Sequence, residues 1–247
     1  MAAAITCMEE ITCNAWPCLG QVFYDGWLLR FAGGYTRRAN SVNPLYASRR
    51  PLDEKIRFCE TTYGDRALPT VFKLTAASQP AGLDAALAAR GYAAQARTAV
   101  QTRALDGSPS AQPAGALAWS ELSREWLEAY ATLNQVPSSA VPTLRAILAS
   151  IVPERCFVAL TEAERIVAVG LAVRQQEHVG LFDLVTAAGR RRQGLGTRLV
   201  QTLLAWGQAR GAKRAYLQVM LDNTPALTLY DKLGFGTHYE YWYRVRR

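Results

Sequence analysis

The chain contains no uninterrupted apolar run of the ~18 residues that a membrane-spanning helix requires, so no transmembrane segment is expected. Its N-terminal residues lack the basic region of a secretory signal, and the acidic pair Glu9 and Glu10 follows soon afterwards, so no export signal is expected either. Histidine is scarce, with only His178 and His238, and neither lies near the first cysteines in the sequence. No cysteine pair has CxxC spacing, and we therefore expect no metal site.

The cysteines are odd in number, which does not indicate a disulfide framework: Cys7, Cys13, Cys18, Cys59 and Cys156. Reduced thiols are typical of the cytoplasm, which is the expected location. Half of the 247 residues are hydrophobic and 19% are charged, as in a globular protein of one large or two smaller domains.

The net charge of +8 is compatible either with nucleic acid or with an anionic small molecule held by clustered arginines. No basic-aromatic stacking motif or zinc-finger spacing accompanies the charge, so nucleic acid is the weaker hypothesis. We expect the C-terminal arginines of residues 244–247 to be solvated.

The clearest break in the chain lies between Asp106 and Gly115, where small residues, Pro and Ser dominate and hydrophobic periodicity disappears. This composition predicts a linker at residues 106–116, which separates a domain at 1–105 from a second at 117–247.

The second half has a regular pattern of elements. Helical spacing predicts helices over Leu122–Leu133 and Pro142–Ile151, and short apolar runs predict an antiparallel meander. Those strands are Cys156–Leu160, Ile166–Val173 and Val179–Thr186. A glycine-containing loop follows, then a helix that ends at Gly211 and a strand at Ala215–Met220. The next predicted helix begins at Asn223, and an aromatic strand at Tyr239–Tyr243 follows it. The buried stripe of that helix is expected to contain Ala226, Leu229, Tyr230 and Leu233.

The first half is less regular. Residues 25–34 suggest two strands around a turn, and the later predicted elements are a helix at Lys55–Thr62, a strand at Pro69–Leu74, a helix at Leu83–Ala89 and a strand at Thr98–Thr102. The helix ending in Gly91-Tyr92 before a strand echoes the helix that ends in Gly234-Phe235, which indicates a duplicated fold.

The most informative segment is Arg190–Arg198, which contains Gly194 and Gly196 between a predicted strand and a predicted helix. The N–H groups at such a helix start and the positive end of its dipole favour a phosphate or pyrophosphate. Arg191 and Arg192 add charge-assisted donors. A Walker A loop would need Lys-Ser/Thr after Gly196, and a Rossmann fingerprint would need Gly or Ala at position 199, so neither pattern fits.

The order of elements and the loop Arg191-x-x-Gly194-x-Gly196 resemble the GNAT acetyltransferase superfamily over about residues 117–245. A second matching segment is Asn223-x-x-Ala226-x-x-Leu229-Tyr230-x-x-x-Gly234-Phe235. The resemblance implies an α/β (α+β) GNAT acyl-CoA N-acyltransferase fold with a mixed, mostly antiparallel sheet and tandem GNAT-like domains.

The resemblance also implies an acetyl-CoA site where two parallel strands splay apart. Main-chain groups of Leu184, Val185 and Thr186 would pair with the pantetheine arm. Amides from Arg191 or Gln193 through Gly194, Leu195, Gly196 and Thr197 would hold the pyrophosphate, with Arg192 at the rim. Asn223 would face the cofactor, and Tyr230 would lie near the sulfur and protonate the departing thiolate.

Direct acyl transfer to an amine needs a neutral amine beside the thioester, an oxyanion donor and an acid for the leaving group. Tyr230 is the candidate acid, although a phenol on such a helix is also compatible with a core aromatic. The general base is open: Asp183 is the first candidate, on the strand that leads to the loop, and an exposed strand residue is the equal alternative. Glu177, His178, His238 and Glu240 are weaker candidates.

The first half resembles bacterial GNAT proteins with an extra N-terminal region, through the pattern Gly-Trp-x-Leu-Arg-x-Ala-x-Gly-x-x-x-Arg-Ala-Asn-Ser-Val at residues 26–42. It lacks the Arg-x-x-Gly-x-Gly loop, so we interpret it as a degenerate GNAT-like domain. Arg30, Arg38, Asn40 and Ser41 either shape an acceptor pocket at the interface of the two halves or cap turns and pair strands.

These observations predict an acetyl-CoA-dependent N-acetyltransferase that acts on a primary amine of a small molecule or a protein. The alternatives are a non-catalytic acyl-CoA sensor or scaffold, and a nucleic-acid binder. The aromatic terminal strand is a candidate sheet edge for a homodimer.

Overall fold

The computed structural model describes residues 1–106 and 115–246, and the chain divides into two compact units. The first unit contains Met1–Ala99 and the C-terminal residues from Tyr239 onward, and the second contains Val100–His238. The end of the chain therefore belongs to the unit that begins it. Most of the linker expected at 106–116 lies outside the described residues.

The first unit combines three helices with strands from both ends of the chain. Its elements are α1 (Ala2–Ala15), β1 (Gly20–Tyr24), β2 (Trp27–Phe31), β3 (Val42–Pro44), α2 (Leu52–Gly64), β4 (Thr70–Thr75), α3 (Leu83–Ala89), the first part of β5 (Ala93–Ala104) and most of β11 (Gly236–Arg246). Strands β1, β2 and β3 are antiparallel, β3 pairs with β4 in parallel, and β11 pairs with β4 in the antiparallel sense.

The β1–β2 hairpin shows how local sequence directs the first unit. Asp25 and Gly26 form its two-residue turn with φ of 43° and 82°, the left-handed pair that matches the twist of two antiparallel strands. Helix α2 then buries one face, including Ile56, Cys59 and Tyr63, against the aromatic and aliphatic side chains of β2 and β4. Helix α2 is thus the crossover between the parallel strands β3 and β4.

The second unit repeats this order of elements with longer strands. Its elements are β6 (Ala116–Trp119), α4 (Arg124–Leu133), α5 (Val141–Ala149), β7 (Glu154–Glu162), β8 (Arg165–Gln175), β9 (His178–Thr186), α6 (Leu195–Gln208), β10 (Arg214–Met220) and α7 (Thr224–Lys232). Strands β6 to β9 are consecutive antiparallel neighbours, and α6 crosses to β10, which pairs with β9 in parallel.

The structure confirms the mixed, mostly antiparallel fold, the meander, and the strand before and the helix after the glycine loop. The run β1–β2–β3–α2–β4–α3 has the same order as β7–β8–β9–α6–β10–α7, in agreement with a duplicated fold. Helix α1 and the short strands β1, β3 and β6 were not predicted. The stripe of α7 is less buried than expected, because Tyr230 is its only fully buried member among the described residues.

Two expectations for the C-terminal segment are wrong. Strand β11 lies between β4 and β5 in the strand order, so it is not a sheet edge open to a second chain. Arg244 is not solvated, because it is largely buried in a two-point ion pair with Asp84. Arg246 is exposed as expected, although it pairs with Glu60 at 3.0 Å, and Arg247 lies outside the described residues. The sequence pattern could not show these carboxylates because they lie some 160 or more positions away.

Candidate functional site

The parallel strands β9 and β10 separate partway along their length. Their pairing runs from His178–Arg214 to Leu181–Leu217, whereas β9 continues to Thr186 and β10 to Met220. Beyond Leu181, β9 therefore no longer pairs with β10, and that edge of β9 is open. Its other edge still pairs with β8 at Val185 and Thr186. An extended arm with amide groups can add there as a strand would.

A β-bulge at Asp183 accompanies this separation. Between Leu171–Phe182 and Val169–Val185 the register of β8 and β9 shifts by one residue, and Asp183 has a φ of 53°. Opposite the bulge lies Gly170, where a Cβ would come within 2.8 Å of the Leu184 side chain. Gly170 thus makes room for the extra residue, and the bulge re-aims the Asp183 side chain relative to a regular strand.

The segment after β9, residues 187–196, runs into the first turn of α6, and we call it the phosphate loop because the sequence predicts that it binds a phosphate. It contains a short 3₁₀ turn at Ala188–Arg190, and left-handed residues at Arg192 and Gly194 with φ of 60° and 81°. The first hydrogen bond into α6 is donated by the Arg198 N–H to the Gly194 carbonyl at 3.0 Å. The N–H groups of residues 195–197 precede it at the positive end of the α6 dipole, which is the geometry that binds anions.

Gly194 and Gly196 are each required to be glycine, but for different structural reasons. Gly194 needs its positive φ, and no heavy atom would obstruct a Cβ there. Gly196 has an ordinary φ, but a Cβ would lie 3.1 Å from the Leu229 side chain of α7. Gly194 therefore shapes the loop and Gly196 lets α6 and α7 approach.

The arginines of the loop are not equivalent. Arg190 is paired with Glu162 at 2.5 Å, which directs its guanidinium toward a carboxylate. Arg191 and Arg192 are exposed and follow the 3₁₀ turn. Of the three, Arg191 and Arg192 are the better placed to meet an incoming anion.

Asn223 caps the next helix, as expected. Its Oδ1 accepts the Ala226 N–H at 3.3 Å, and Pro225 occupies the first turn of α7. Asn223 is exposed and follows the open end of β10. The side-chain oxygen of Asn223 therefore serves the helix cap, and its side-chain NH₂ is the candidate donor to a ligand.

Tyr230 is buried on α7 and packs edge-on against Phe235. Burial raises the pKa of its phenol to about 12, because the charged form would lose solvation. Tyr230 is therefore protonated at neutral pH, as a proton donor must be. The packing is equally that of a core aromatic, so the position alone does not decide the role.

Asp183 is half-buried and is contacted by helix α4. The Tyr130 hydroxyl donates to its Oδ1 at 3.2 Å, and the Asn134 amide donates to the Tyr130 oxygen at 2.9 Å. The sequence predicts a helix over Leu122–Leu133, which contains Tyr130, but assigns no role to Tyr130 or Asn134. The missed signal is that a buried tyrosine requires a partner for its hydroxyl, with Asn134 one helical turn beyond it.

The weaker candidates for the general base lie elsewhere. His178 is the first paired residue of β9 and Glu177 lies just before it, about 16–20 Å along the strand from Asp183. Glu177 forms an ion pair with Lys213, and burial lowers the pKa of His178, with Arg214 adding to the effect. Glu240 pairs with Arg97 at 2.6 Å, and His238 is exposed.

The donor-rich segment of the first unit is used structurally. The Arg30 guanidinium donates to the carbonyls of Cys13, Trp16 and Arg38 at 2.5–3.0 Å. The Asn40 side chain accepts the N–H groups of Ala32 and Gly34 and donates to Tyr35 and Thr36 carbonyls.

Ser41 is buried, and its carbonyl accepts the Asn43 amide at 2.9 Å. Arg38 lies 4.4 Å over the Trp16 ring. These contacts favour the structural interpretation of the segment over an acceptor pocket.

Within residues 1–106 and 115–246, no three His, Cys, Asp or Glu side chains cluster as a metal site would require. All five cysteines are free thiols. Of the helices that the structure describes, none has the length and apolar character to cross a membrane.

Comparison with known proteins agrees with the fold. A family model described as "Probable histone acetyltransferase Rv0428c C-terminal" matches residues 2–244. The chain is 30% identical to the uncharacterized N-acetyltransferase YobR of Bacillus subtilis (strain 168), over 97% of this chain and 98% of that protein.

Solved structures show the same architecture. A GCN5-related N-acetyltransferase from Kribbella flavida superposes with a TM-score of 0.69 at 18% identity, covering 99% of this chain and 95% of that one. A tandem GNAT protein from the clavulanic acid biosynthesis pathway has a TM-score of 0.58 at 14% identity, covering 80% and 71%. At these identities the likeness concerns the fold.

Proposed function

The chain belongs to the Rv0428c C-terminal acetyltransferase family of the GNAT superfamily and is an N-acetyltransferase, and from this premise we propose that it uses acetyl-CoA to acetylate a primary amine. The observation that carries the proposal is the conjunction of the open edge of β9 with the phosphate loop that follows it. The first suits an amide-containing arm and the second suits a diphosphate.

The chemistry of the residues fits this coenzyme. Leu184, Val185 and Thr186 would offer backbone groups to the pantetheine arm, and the N–H groups between Gln193 and Thr197 would bind the pyrophosphate. Arg191 and Arg192 would add charge at the rim, and the Asn223 amide would donate from the start of α7. Bound acetyl-CoA supplies an activated acetyl group on a thioester sulfur.

We assign the proton transfers to two side chains. Asp183, on the bulge beside the open edge of β9, accepts a proton from the incoming ammonium group, directly or through water, so that the nitrogen lone pair becomes available. The nitrogen attacks the thioester carbonyl carbon, the C–N bond forms and the C–S bond breaks. Tyr230 gives its proton to the departing thiolate, which yields the amide and CoA. The acylated nitrogen loses its second proton through water to the Tyr230 phenolate, which restores the phenol, and the proton held by Asp183 returns to solvent.

Calorimetry tests the cofactor assignment. Acetyl-CoA and CoA should both bind the purified protein, whereas acetyl-pantetheine, which lacks the diphosphate, should bind far more weakly because it leaves the loop unused. Absence of heat from acetyl-CoA with folded protein would overturn the proposal.

A thiol-release assay then tests turnover. The acceptor panel should contain small amines, amino acids, aminoglycosides and peptides with a free N-terminus or a lysine, because the family description leaves a protein amine open. Binding of CoA without turnover on any acceptor would favour a non-catalytic acyl-CoA sensor. The free thiols favour the cytoplasm as the location.

A further inference from the structure

We propose that Asn134 and Tyr130 of helix α4 are positioning residues that hold the Asp183 carboxylate in its working orientation, an inference that rests on the proposed function. The three side chains form one chain of donors: the Asn134 amide donates to the Tyr130 oxygen at 2.9 Å, and the Tyr130 hydroxyl donates to Asp183 Oδ1 at 3.2 Å. We call this set the α4 relay.

The Tyr130 ring is fixed by its surroundings. It is 5% exposed and stacks on Trp126, with ring centroids 5.3 Å apart and an interplanar angle of 6°. Trp126 is itself anchored, because its indole N–H donates to the Val158 carbonyl of β7 at 3.0 Å. A ring held this firmly presents its hydroxyl in one place, so the hydroxyl can set the direction of a partner.

Asn134 determines which way the Tyr130 hydroxyl proton points. The Asn134 amide occupies an acceptor position of the phenol oxygen, which leaves the phenol proton for Asp183. Its own backbone is fixed as well, since the Asn134 N–H donates to the Tyr130 carbonyl at 2.9 Å at the end of α4. Ser123 caps the other end of the helix through the Trp126 N–H at 3.0 Å.

Asp183 needs such a constraint because it lies on a bulge. A residue at φ 53° in a bulge is not held by the regular alternation of a strand, so its side chain depends on specific contacts for its direction. The α4 relay supplies that contact across 53 positions of sequence. It also links the carboxylate to α4, the helix that precedes the meander.

A double-mutant cycle tests the relay in catalysis. Tyr130→Phe should lower kcat about tenfold, the usual effect of losing one hydrogen bond to a charged group, with the KM for acetyl-CoA and CoA binding unchanged. In an Asp183→Asn background the same change should have no further effect. Asn134→Ala should lower kcat less, and should add nothing to Tyr130→Phe. The matched control is Tyr46→Phe, which removes another phenol-to-carboxylate hydrogen bond, to Glu10, and should leave kcat unchanged.

A second measurement does not require turnover. In protein labelled with ¹³C at aspartate carboxyl carbons, Tyr130→Phe and Asn134→Ala should both shift the Asp183 resonance, identified by its loss in Asp183→Asn, and Tyr46→Phe should not. An unmoved resonance, or a Tyr130→Phe penalty that persists in full with Asn at 183, overturns the relay. If the Asp183 resonance shifts in both variants but the wild-type protein acetylates no acceptor, the proposed function is overturned and the relay is upheld as a positioning device.

Discussion

Gly196 and Leu229 join the phosphate loop to the helix that carries Tyr230: a Cβ on residue 196 would lie 3.1 Å from Leu229 Cδ2. The contact connects the first turn of α6, where the free N–H groups of a helix start are presented, with the middle of α7. Under the proposed function, binding of the diphosphate and placement of the phenol would therefore be coupled through packing. The loop and α7 can be tested separately.

Replacing Gly194 by Ala should weaken CoA binding. The left-handed φ of 81° costs an alanine about 1–2 kcal/mol, and relief of that strain would turn the loop amides away from the diphosphate. Gly211→Ala is the matched control, because Gly211 has a φ of 85° at the far end of α6, outside the loop. Both variants should unfold at lower temperature, and only Gly194→Ala should raise the Kd for CoA in calorimetry. Equal Kd values in the two variants would contradict the loop assignment.

Tyr230→Phe should slow acetyl transfer by about 10²–10⁴-fold without weakening CoA binding, because only the proton donor is lost. Stopped-flow thiol release and calorimetry on the same preparation measure the two quantities. Phenylalanine keeps the packing against Phe235. Unchanged turnover would assign Tyr230 to the core instead of the mechanism.

The same substitution predicts a pH dependence of stability. Burial raises the pKa of Tyr230 to about 12 from an unfolded value near 10, so its contribution is fully present below pH ~10 and is lost as the pH rises toward 12. By pH 11 the wild type should have lost roughly 1.4 kcal/mol more than Tyr230→Phe in the free energy of unfolding. Urea titrations at pH 9, 10 and 11 detect the divergence, and parallel curves would contradict it. Other buried tyrosines contribute equally to both proteins.

The buried pair Lys73–Glu9 should be essential to the first unit. Lys73 Nζ lies 2.5 Å from Glu9 Oε2, and Tyr239 donates to Glu9 Oε1 at 2.6 Å. Lys73→Met leaves a buried carboxylate unpaired and should cost about 3–5 kcal/mol, much of which Glu9→Gln in the same protein should restore. Denaturant unfolding measures both.

The control for that experiment is Arg124→Ala, which breaks the exposed pair with Glu128 and should leave the midpoint unchanged. A small loss in Lys73→Met would show that the pair is dispensable, and no recovery in the double variant would show that the loss does not come from an unpaired carboxylate.

The sequence predicts those parts of the fold that depend on local pattern. The meander, the glycine loop and the cap at Asn223 follow from periodicity and from residues a few positions apart. Helix α1 is not predicted from local pattern, because its buried face contains Glu9. The partners that make this buried carboxylate acceptable, Lys73 and Tyr239, lie 64 or more positions later in the chain. Strand β3 has three residues, too few for periodicity.

The same limit applies to the site. Gly194 and Gly196 were recognisable because backbone requirements appear in the identity of a single residue. The contact between Tyr130 and Asp183 was not, because a tyrosine on an apolar stripe has the same spacing whether its hydroxyl meets a carboxylate or solvent. The sequence identifies Arg30 and Asn40 as hydrogen-bond donors, but it does not reveal their acceptors, which are backbone carbonyls of their own unit.

Asn223 offers a test in which two roles of one side chain separate. Its Oδ1 caps α7, and the proposal gives its NH₂ to the cofactor. Serine retains a cap acceptor and lacks the amide, so Asn223→Ser should keep the unfolding temperature and weaken acetyl-CoA binding about tenfold, as the loss of one hydrogen bond would. Asn223→Ala should lose both, with a cap cost of about 1 kcal/mol. If Asn223→Ser binds acetyl-CoA as the wild type does while Asn223→Ala is less stable, the residue is a helix cap alone, and specificity for the coenzyme must come from the phosphate loop and the open edge of β9.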